Sequence, residues 1–409
     1  MAYQEVKTTS YGTRVGNSFK GIGGGIILFI AATVLLWWNE GRAVKTTKML
    51  NEAQGAYVEM ENPSKIDPAL DGELVHATAL ATTQDSLVDA RFGFGVTAIS
   101  LQRSVEYYQW VEHAESKSED KLGGKEVTTT TYTYTKEWVS SPVQSSEFKD
   151  PEYQNKNMVL TTVDPQTQWA ENVSFGAYKL NTALSHSISS REPVQLAIDE
   201  NILKDLNDGI SRIQKKDSLN YVHQDANVLY IGRVPSSPEV GDVRITWEKV
   251  VPAKVTIISQ VDGDTFKAYK AKNGKTFQTL VMGKKDASEI FESEHSSNKV
   301  LLWVLRILGV ILVITGLKGI FGFLETLLKV VPFLANILGW GVSLVCTVVG
   351  LVWSLIVIAL AWLTYRPVLG ISLLVIAGLL VWFFAFKGKE QVKKLAAKAS
   401  GQPDEQAQA

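Results

Sequence analysis

Charged residues are almost absent from two parts of the sequence. Residues 21–38 contain no Lys, Arg, Asp or Glu, and residues 301–386 contain only five of them. A helix that crosses about 30 Å of hydrocarbon needs roughly 20 apolar residues, and both stretches are long enough to supply such helices. The sequence therefore predicts an integral membrane protein and excludes a soluble monomer.

The first predicted span, transmembrane helix 1, covers residues 21–38 and ends on Trp37 and Trp38, a residue type that is enriched at membrane–water interfaces. A cleaved signal peptide is the competing interpretation. We favour an uncleaved span because the apolar run is long for a signal peptide. It is also followed by Asn39 and Glu40 rather than by the small residues of a cleavage site.

Three further transmembrane helices are predicted near the C-terminus, at residues 299–318, 336–364 and 367–386. Tyr365-Arg366-Pro367 separates the last two. Because proline starts helices well and interrupts them badly, this tripeptide predicts a tight turn between antiparallel spans.

The residues between the second and third spans, 319–335, combine several apolar side chains with Glu325 and Lys329, which are spaced to pair on one side of a helix. This pattern predicts an amphipathic segment lying in the membrane interface. The alternative is that the second span continues into a re-entrant bend.

Basic residues predict the sidedness of the chain, because cytoplasmic segments are enriched in Lys and Arg. The segment 387–409 carries five lysines, and residues 1–20 carry three basic residues against the single acid Glu5. We therefore expect a cytoplasmic N-terminal tail at 1–20 and a basic cytoplasmic tail at 387–409. Residues 39–298 then lie outside, in a bacterial periplasm or in the lumen of the endoplasmic reticulum and nuclear envelope.

Residues 39–298 are predicted to form a large β-rich α+β domain. Two long strands around the charged segment 115–124, which ends in Gly-Gly, indicate a hairpin with an exposed tip. Helical patterns occur at Pro193–Leu206 and at Ala287–His295, the second of which runs toward the next span. The predicted strands are Glu73–Ala81, Thr97–Val111, Lys125–Val139, Met158–Val163, Val228–Ile231, Val243–Lys249, Val255–Gln260, Thr265–Tyr269 and Thr276–Met282.

Several classes of function are disfavoured by composition and motifs. The net charge of −1 makes a nucleic-acid binder unexpected, and the single cysteine, Cys346, excludes an intrachain disulfide and a cysteine-based zinc site. None of the five histidines has a metal-ligand spacing, and no nucleophile elbow or phosphate-binding loop is present. We therefore expect no catalytic residues, no metal and no cofactor.

Six residues are candidates for membrane contact or helix packing. Gly21 and Gly25 form a GxxxG step that lets helix backbones approach closely. The alternative is that these glycines only make the start of the span flexible. Arg306 lies inside a span. It either extends its charge to the interface or makes a polar contact within the helix bundle. Glu40, Arg42 and Arg366 flank spans, and we expect Glu40 and Arg42 to bind lipid headgroups or the adjoining domain.

Five strings, in this order, give the chain a resemblance to the transmembrane protein 43 family, also called LUMA. The resemblance extends over nearly the whole chain and includes the layout of one span, a large domain and three spans. The strings are Asn39–Ala43, Arg103–Glu112, Tyr134–Trp138, Glu239–Arg244 and Tyr365–Pro367.

The resemblance implies a four-span protein of the endoplasmic reticulum and inner nuclear membrane in animals, or of the inner membrane in a bacterium. It implies self-association and binding to other membrane or envelope proteins, which include emerin and lamins in animals, with no established enzymatic activity. Within the Arg103–Glu112 string, Glu106, Tyr107, Tyr108 and Trp110 are expected to divide between a core face and a face that contacts membrane or partner. Ordinary core and rim packing is the alternative.

We accordingly expect a non-enzymatic membrane scaffold that forms homo-oligomers and organises the membrane, the envelope or its protein partners. A channel or transporter built from the transmembrane helices is the alternative from another class, and a membrane hydrolase is a third. A channel requires polar residues that converge along one axis of the helix bundle, whereas a scaffold does not.

Overall fold

The computed structural model describes residues 3–214, 219–328 and 332–365, together with scattered positions between 371 and 382. The predicted fourth span at 367–386 and the basic tail at 387–409 therefore lie largely or wholly outside the described residues. The chain divides into two compact units. The first comprises Met1–Val6, Met49–Lys117 and Thr129–Glu294, and the second comprises Lys7–Lys48, Ser118–Thr128 and the chain from His295 onward.

Three of the described helices are long and apolar enough to cross a membrane, which fits the predicted class of membrane protein. They are α1, α4 and α5, and the two other described α-helices are shorter. The five helices are α1 (Tyr11–Ala56), α2 (Thr182–Ser185), α3 (Glu200–Gln214), α4 (Ala287–Leu328) and α5 (Pro332–Tyr365).

Helices α1 and α4 extend beyond the predicted spans. The apolar run 21–38 lies inside α1, and the second span lies inside α4, which begins at Ala287 as the sequence pattern indicated. Within the predicted interfacial segment at 319–335, the residues up to Leu328 continue α4 without a break, and residues 329–331 lie outside the described residues. Isolated glycines such as Gly319 and Gly322 weaken a helix by only about 1 kcal/mol each, so the helix passes through them.

Nineteen strands are described, and most of them lie in residues 58–282. They are β1 (Tyr3–Thr9), β2 (Val58–Glu59), β3 (Leu74–Thr83), β4 (Ser86–Asp89), β5 (Phe94–Thr97), β6 (Ser100–Asp120), β7 (Glu126–Val139), β8 (Gln166–Trp169), β9 (Val173–Phe175), β10 (Tyr178–Lys179), β11 (Arg191–Pro193), β12 (Val222–Asp225), β13 (Val228–Ile231), β14 (Val243–Val250), β15 (Ala253–Asp262), β16 (Thr265–Lys267), β17 (Tyr269–Lys270), β18 (Thr276–Phe277) and β19 (Thr279–Met282).

Two large sheets contain 15 of these strands, and β4–β5 and β17–β18 form two small sheets, which supports the expectation of a β-rich domain. One has the order β1-β7-β6-β14-β13-β12, with β8 paired to β6 and β11 to β14. The other has the order β19-β15-β16-β10-β9-β3-β2, with β15 also paired to β3. In the β6–β14 pair, Val105 lies opposite Ile245 and Tyr107 opposite Val243, so side chains of one face meet across the strands.

The first sheet buries an ion pair within its apolar core. Asp89 accepts hydrogen bonds from Arg103 at 2.6 and 2.7 Å and from the indole of Trp247 at 2.9 Å. The rings of Phe92 and Phe94 stand edge-on to Trp247. Because every charge in this cluster has a partner, the core accommodates the polar groups without an unsatisfied carboxylate.

Residues at the two ends of the β-rich domain are helical and belong to its core. Met49, Leu50 and Ala53 of α1 pack in one cluster with Ile290 and Phe291 of α4. The chain segments that enter and leave the domain are therefore folded parts of it rather than linkers.

Part of the predicted N-terminal tail, residues 1–20, forms the strand β1. β1 pairs with β7, and Gln4 donates a hydrogen bond to Thr131 at 3.3 Å. In the second unit, Arg14 is bonded to the tip of the β6–β7 hairpin, at 2.7 Å from Asp120.

Two predicted elements differ from the structure. Met158–Val163 is not a strand, and its carbonyl groups at Val163 and Met158 accept hydrogen bonds from the side chains of Tyr107 and Gln109. The helix expected from Pro193 begins only at Glu200, because Pro193 lies in β11 opposite Glu248. The other predicted strands overlap observed ones.

Candidate functional site in the helix bundle

A buried ion pair joins α1 to α4 in the second unit. Glu40 follows the uncharged run of α1 and is 0% exposed, and Arg306 of α4 is 9% exposed. The Arg306 Nε donates to one carboxylate oxygen of Glu40 at 2.6 Å, and Nη2 donates to the other at 2.8 Å. This bidentate geometry is the strongest form of carboxylate–guanidinium contact, and it neutralises both charges inside the bundle.

Two tryptophans complete the surroundings of this ion pair. The guanidinium of Arg306 lies 4.8 Å from the ring centre of Trp303 and 5.1 Å from that of Trp362. The indole nitrogen of Trp362, on α5, also donates to Glu40. Because aromatic faces attract cations, the rings stabilise Arg306.

A second polar layer lies next to the ion pair. Asn39 donates to the carbonyl of Leu302 at 3.0 Å, and Arg42 donates to Asn298 at 3.0 Å. Asn298 in turn donates to the carbonyl of Ala43 at 3.0 Å. Contacts between side chains and backbone thus join α1 and α4 over about two helical turns.

Glycines bring the same two helices into backbone contact. A Cβ atom on Gly25 would lie 2.7 Å from the backbone nitrogen of Ile320 and 2.8 Å from the carbonyl oxygen of Gly316. A Cβ on Gly21 would meet nothing within 4 Å. Of the predicted GxxxG step, Gly25 therefore lies at the closest helix–helix approach, whereas Gly21 has room for a side chain and only its carbonyl oxygen comes near Gly319.

Four hydroxyl groups of the described spans are bonded within their own helices. Each donates to a carbonyl oxygen one turn earlier, which is a common arrangement for Ser and Thr in apolar helices. The pairs are Thr33 with Phe29, Thr315 with Ile311, Thr347 with Ser343 and Ser354 with Gly350, at 2.7–2.8 Å.

Glu40, Arg42 and Arg306 were predicted from the sequence as candidate residues, but the residues that they bond were not. Arg306 contacts residues of the bundle, and Glu40 is bound to Arg306 rather than exposed to headgroups. Arg42 is bound to Asn39 and Asn298. Arg366 lies outside the described residues. Asn39, Asn298 and Trp362 were not singled out, because an isolated Asn or Trp near a span end gives no pairing signal.

A buried carboxylate in the β-rich domain is a separate polar site. Asp242, which belongs to the Glu239–Arg244 string, is 3% exposed and accepts hydrogen bonds from the Tyr230 hydroxyl and from the backbone of Glu239. Burial raises the pKa of Asp242 above its ordinary value, because it disfavours the charged form. Burial, followed by the hydrogen bond to Asp242, raises the pKa of Tyr230.

The strand around Tyr107 and Tyr108 divides as its alternation indicated. Tyr107 lies in the core, whereas Tyr108 contacts Trp138 on the other face. On that face Arg244 bonds Glu106 at 2.7 Å and lies 4.5 Å from the ring centre of Trp138. Side chains of neighbouring strands therefore cover this face at least in part.

Comparisons with known proteins match most of the chain. The family model described as Transmembrane protein 43 matches residues 107–367, more than half of the chain. Transmembrane protein 43 of Rattus norvegicus is 31% identical over 381 residues, which are 89% of this chain and 90% of that protein. The Homo sapiens protein is 30% identical over 407 residues, 96% of each chain. The Drosophila melanogaster homolog is 26% identical over 366 residues, 88% and 93% of the two chains. No solved structure matches.

Proposed function

Because this chain belongs to the transmembrane protein 43 family, we propose that it is a multi-pass membrane scaffold, without enzymatic activity, that self-associates and organises the membrane or its protein partners. Its partners in this proposal are the lipid bilayer, further copies of the chain and other membrane or envelope proteins. The runner-up is a channel or transporter that uses the transmembrane helices.

One observation carries the choice of scaffold over channel: the buried acid of α1 and the buried base of α4 are bonded to each other, and four hydroxyl groups of the described spans are bonded within their own helices. Glu40 and Arg306 neutralise each other, and Thr33, Thr315, Thr347 and Ser354 each donate to their own helix. A conducting path needs polar groups that face a common water-filled axis and exchange partners with the solute. The bonded arrangement instead favours a rigid helical anchor.

The proposed location follows the sequence pattern and the family. The chain is an integral membrane protein, which we place in the inner membrane of a bacterium or in the endoplasmic reticulum and inner nuclear membrane of an animal. The lysines of 387–409 support a cytoplasmic C-terminus. The charges of 1–20 favour the cytoplasm for the N-terminus as well.

Two measurements on the full chain separate scaffold from channel. In mass photometry of the detergent-solubilised protein, a scaffold gives species larger than the monomer that persist on dilution. In liposomes it gives the same ion and small-solute flux as protein-free vesicles. A monomer at all concentrations would refute self-association, and a flux that depends on the protein would favour the channel.

A further inference from the structure

A cavity of about 380 Å³ adjoins the ion pair in the helix bundle. Its lining residues belong to the segments where α1 leaves the uncharged run at 21–38 and where α4 begins the apolar run after Lys299. By sequence, the cavity is therefore at the depth where hydrocarbon gives way to headgroups. Its volume falls in the range of about 300–1,000 Å³ that is typical of small-molecule sites.

The acid in the wall of this cavity is already neutralised. Both carboxylate oxygens of Glu40 accept hydrogen bonds from Arg306, and one of them also accepts the bond from Trp362. The side-chain amide of Asn298, another wall residue, is committed to Ala43 and Thr47. The internal bonds thus leave no acidic side chain of the described wall available to a ligand.

The polar groups of the wall that remain are donors. Arg306 uses Nε and Nη2 for Glu40, which leaves Nη1 outside the ion pair. Lys299 and His295 also line the cavity, and neither makes a hydrogen bond or ion pair with another described residue. Lys299 adds a full positive charge, because Arg306 and Glu40 cancel. A wall with unused donors and net positive charge is complementary to an anion.

The remaining surface of the cavity is apolar and aromatic. Leu302, Trp303 and Trp362 contribute to the wall, and Trp303 is exposed beside it. Tryptophan at this depth contacts the glycerol and upper acyl region of lipids. An occupant must therefore carry both an anionic group and an apolar part.

We propose that this cavity binds the phosphate group of an anionic phospholipid, with Lys299, His295 and Nη1 of Arg306 as donors and Trp303 against the glycerol and acyl region. The lipid would extend the contact between α1 and α4 to the bilayer itself. The shared chemistry is a phosphate ester, so the test separates a lipid from free phosphate.

The test is native mass spectrometry of the full-length detergent-solubilised chain titrated with phosphatidylglycerol or phosphatidylcholine. We expect the wild type to prefer phosphatidylglycerol and Lys299→Ala to bind it about tenfold more weakly, since a charge-assisted hydrogen bond is lost. Lys299→Arg should retain the preference. Lys318→Ala is the matched control, because it removes the same charge from the same helix about 28 Å away at 1.5 Å per residue.

The outcomes divide cleanly. An unchanged affinity for Lys299→Ala, or equal losses for Lys299→Ala and Lys318→Ala, would overturn the site and leave only general surface electrostatics. Inorganic phosphate that competes with phosphatidylglycerol at equal concentration would overturn the lipid as ligand and assign the cavity to free phosphate. Loss of binding in Lys299→Ala with retention in Lys299→Arg and no competition by phosphate supports the proposal.

Discussion

Replacing Glu40 by Gln tests the central contact of the helix bundle. The substitution keeps the side-chain volume and removes the charge that accepts two hydrogen bonds from Arg306. The guanidinium would then remain buried without a counter-charge. Breaking a buried ion pair costs about 3–5 kcal/mol. We expect the lower end, about 3 kcal/mol, because Arg306 is near the end of its span and can reach the interface when the bundle opens.

The single cysteine provides the assay. Cys346 of α5 is 3% exposed and packs with Leu36 and Val313, so its thiol becomes reactive only when the bundle opens. If reclosing is fast compared with labelling, the rate of maleimide labelling follows the population of the open state. A loss of about 3 kcal/mol then raises that rate by roughly 100-fold, at 1.36 kcal/mol per factor of ten.

Two variants test whether the faster labelling of Cys346 results from loss of the ion pair. Glu115→Gln alters an exposed carboxylate on β6 and should leave labelling of Cys346 unchanged. The double variant Glu40→Leu/Arg306→Leu removes both charges and should label more slowly than Glu40→Gln, because a buried charge is no longer left unpaired. Wild-type labelling in Glu40→Gln, or labelling of the double variant as fast as that of the single one, would refute the reasoning.

Three further predictions concern helix packing, pH and the N-terminal strand. Gly25→Ala should destabilise the bundle by about 1–3 kcal/mol in the thiol-labelling assay, because its Cβ would meet backbone atoms at 2.7 and 2.8 Å. Gly23→Ala, with nothing within 4 Å, should be neutral or slightly stabilising, and equal effects would contradict the packing. Burial raises the pKa of Asp242 above its ordinary value of 3.8, so its contribution to stability is fully present below that pH and is lost as the pH rises through the raised pKa. The free energy of unfolding of the wild type should therefore fall relative to that of Asp242→Asn between pH 3 and pH 7. If the difference between the two free energies stayed constant over this range, titration of Asp242 would not affect stability. In a cysteine-free background, Gln4→Cys and Thr131→Cys together should cross-link on oxidation, since the native side chains are 3.3 Å apart. Absence of the cross-link in membranes would contradict the pairing of β1 with β7.

Alternation of side chains predicted many of the strands because burial in this domain follows the faces of its sheets. Val228–Ile231 was predicted with the bounds that β13 has, and Leu229 and Ile231 lie in the apolar core beside the first sheet. The misplaced helix start has a physical cause. Pro193 is compatible with the first turn of a helix, but here its neighbours pair with β14 as β11. The helix propensity of a segment depends on its own residues, so it does not reveal a partner strand that lies more than fifty residues away.

The candidate site was less predictable because its members are distant in sequence. Arg306 was identified as an unusual charge within a span, and Glu40 as a charge at the end of another. Nothing in the local sequence joined them, since 266 residues separate the two. The string Asn39–Arg42 contributes three polar side chains, and each of them bonds a residue of α4. The residues that carry this part of the resemblance therefore form a contact between α1 and α4 and also mark the end of the apolar run of α1.

The close approach of glycines sets the register of this contact between α1 and α4. Gly25 of α1 contacts the backbone of α4 at Gly316 and Gly319, and the two helices run antiparallel there. From Gly25 to Glu40 is 15 residues, and from Gly319 back to Arg306 is 13 residues, or about 22 and 20 Å at 1.5 Å per residue. The two charges are thus brought to the same depth by the position at which the glycines meet. A buried ion pair is therefore predicted when two apolar helices each carry a small residue and, at matched distances from it, one helix carries an acid and the other a base. Neither the acid nor the base alone indicates the pair.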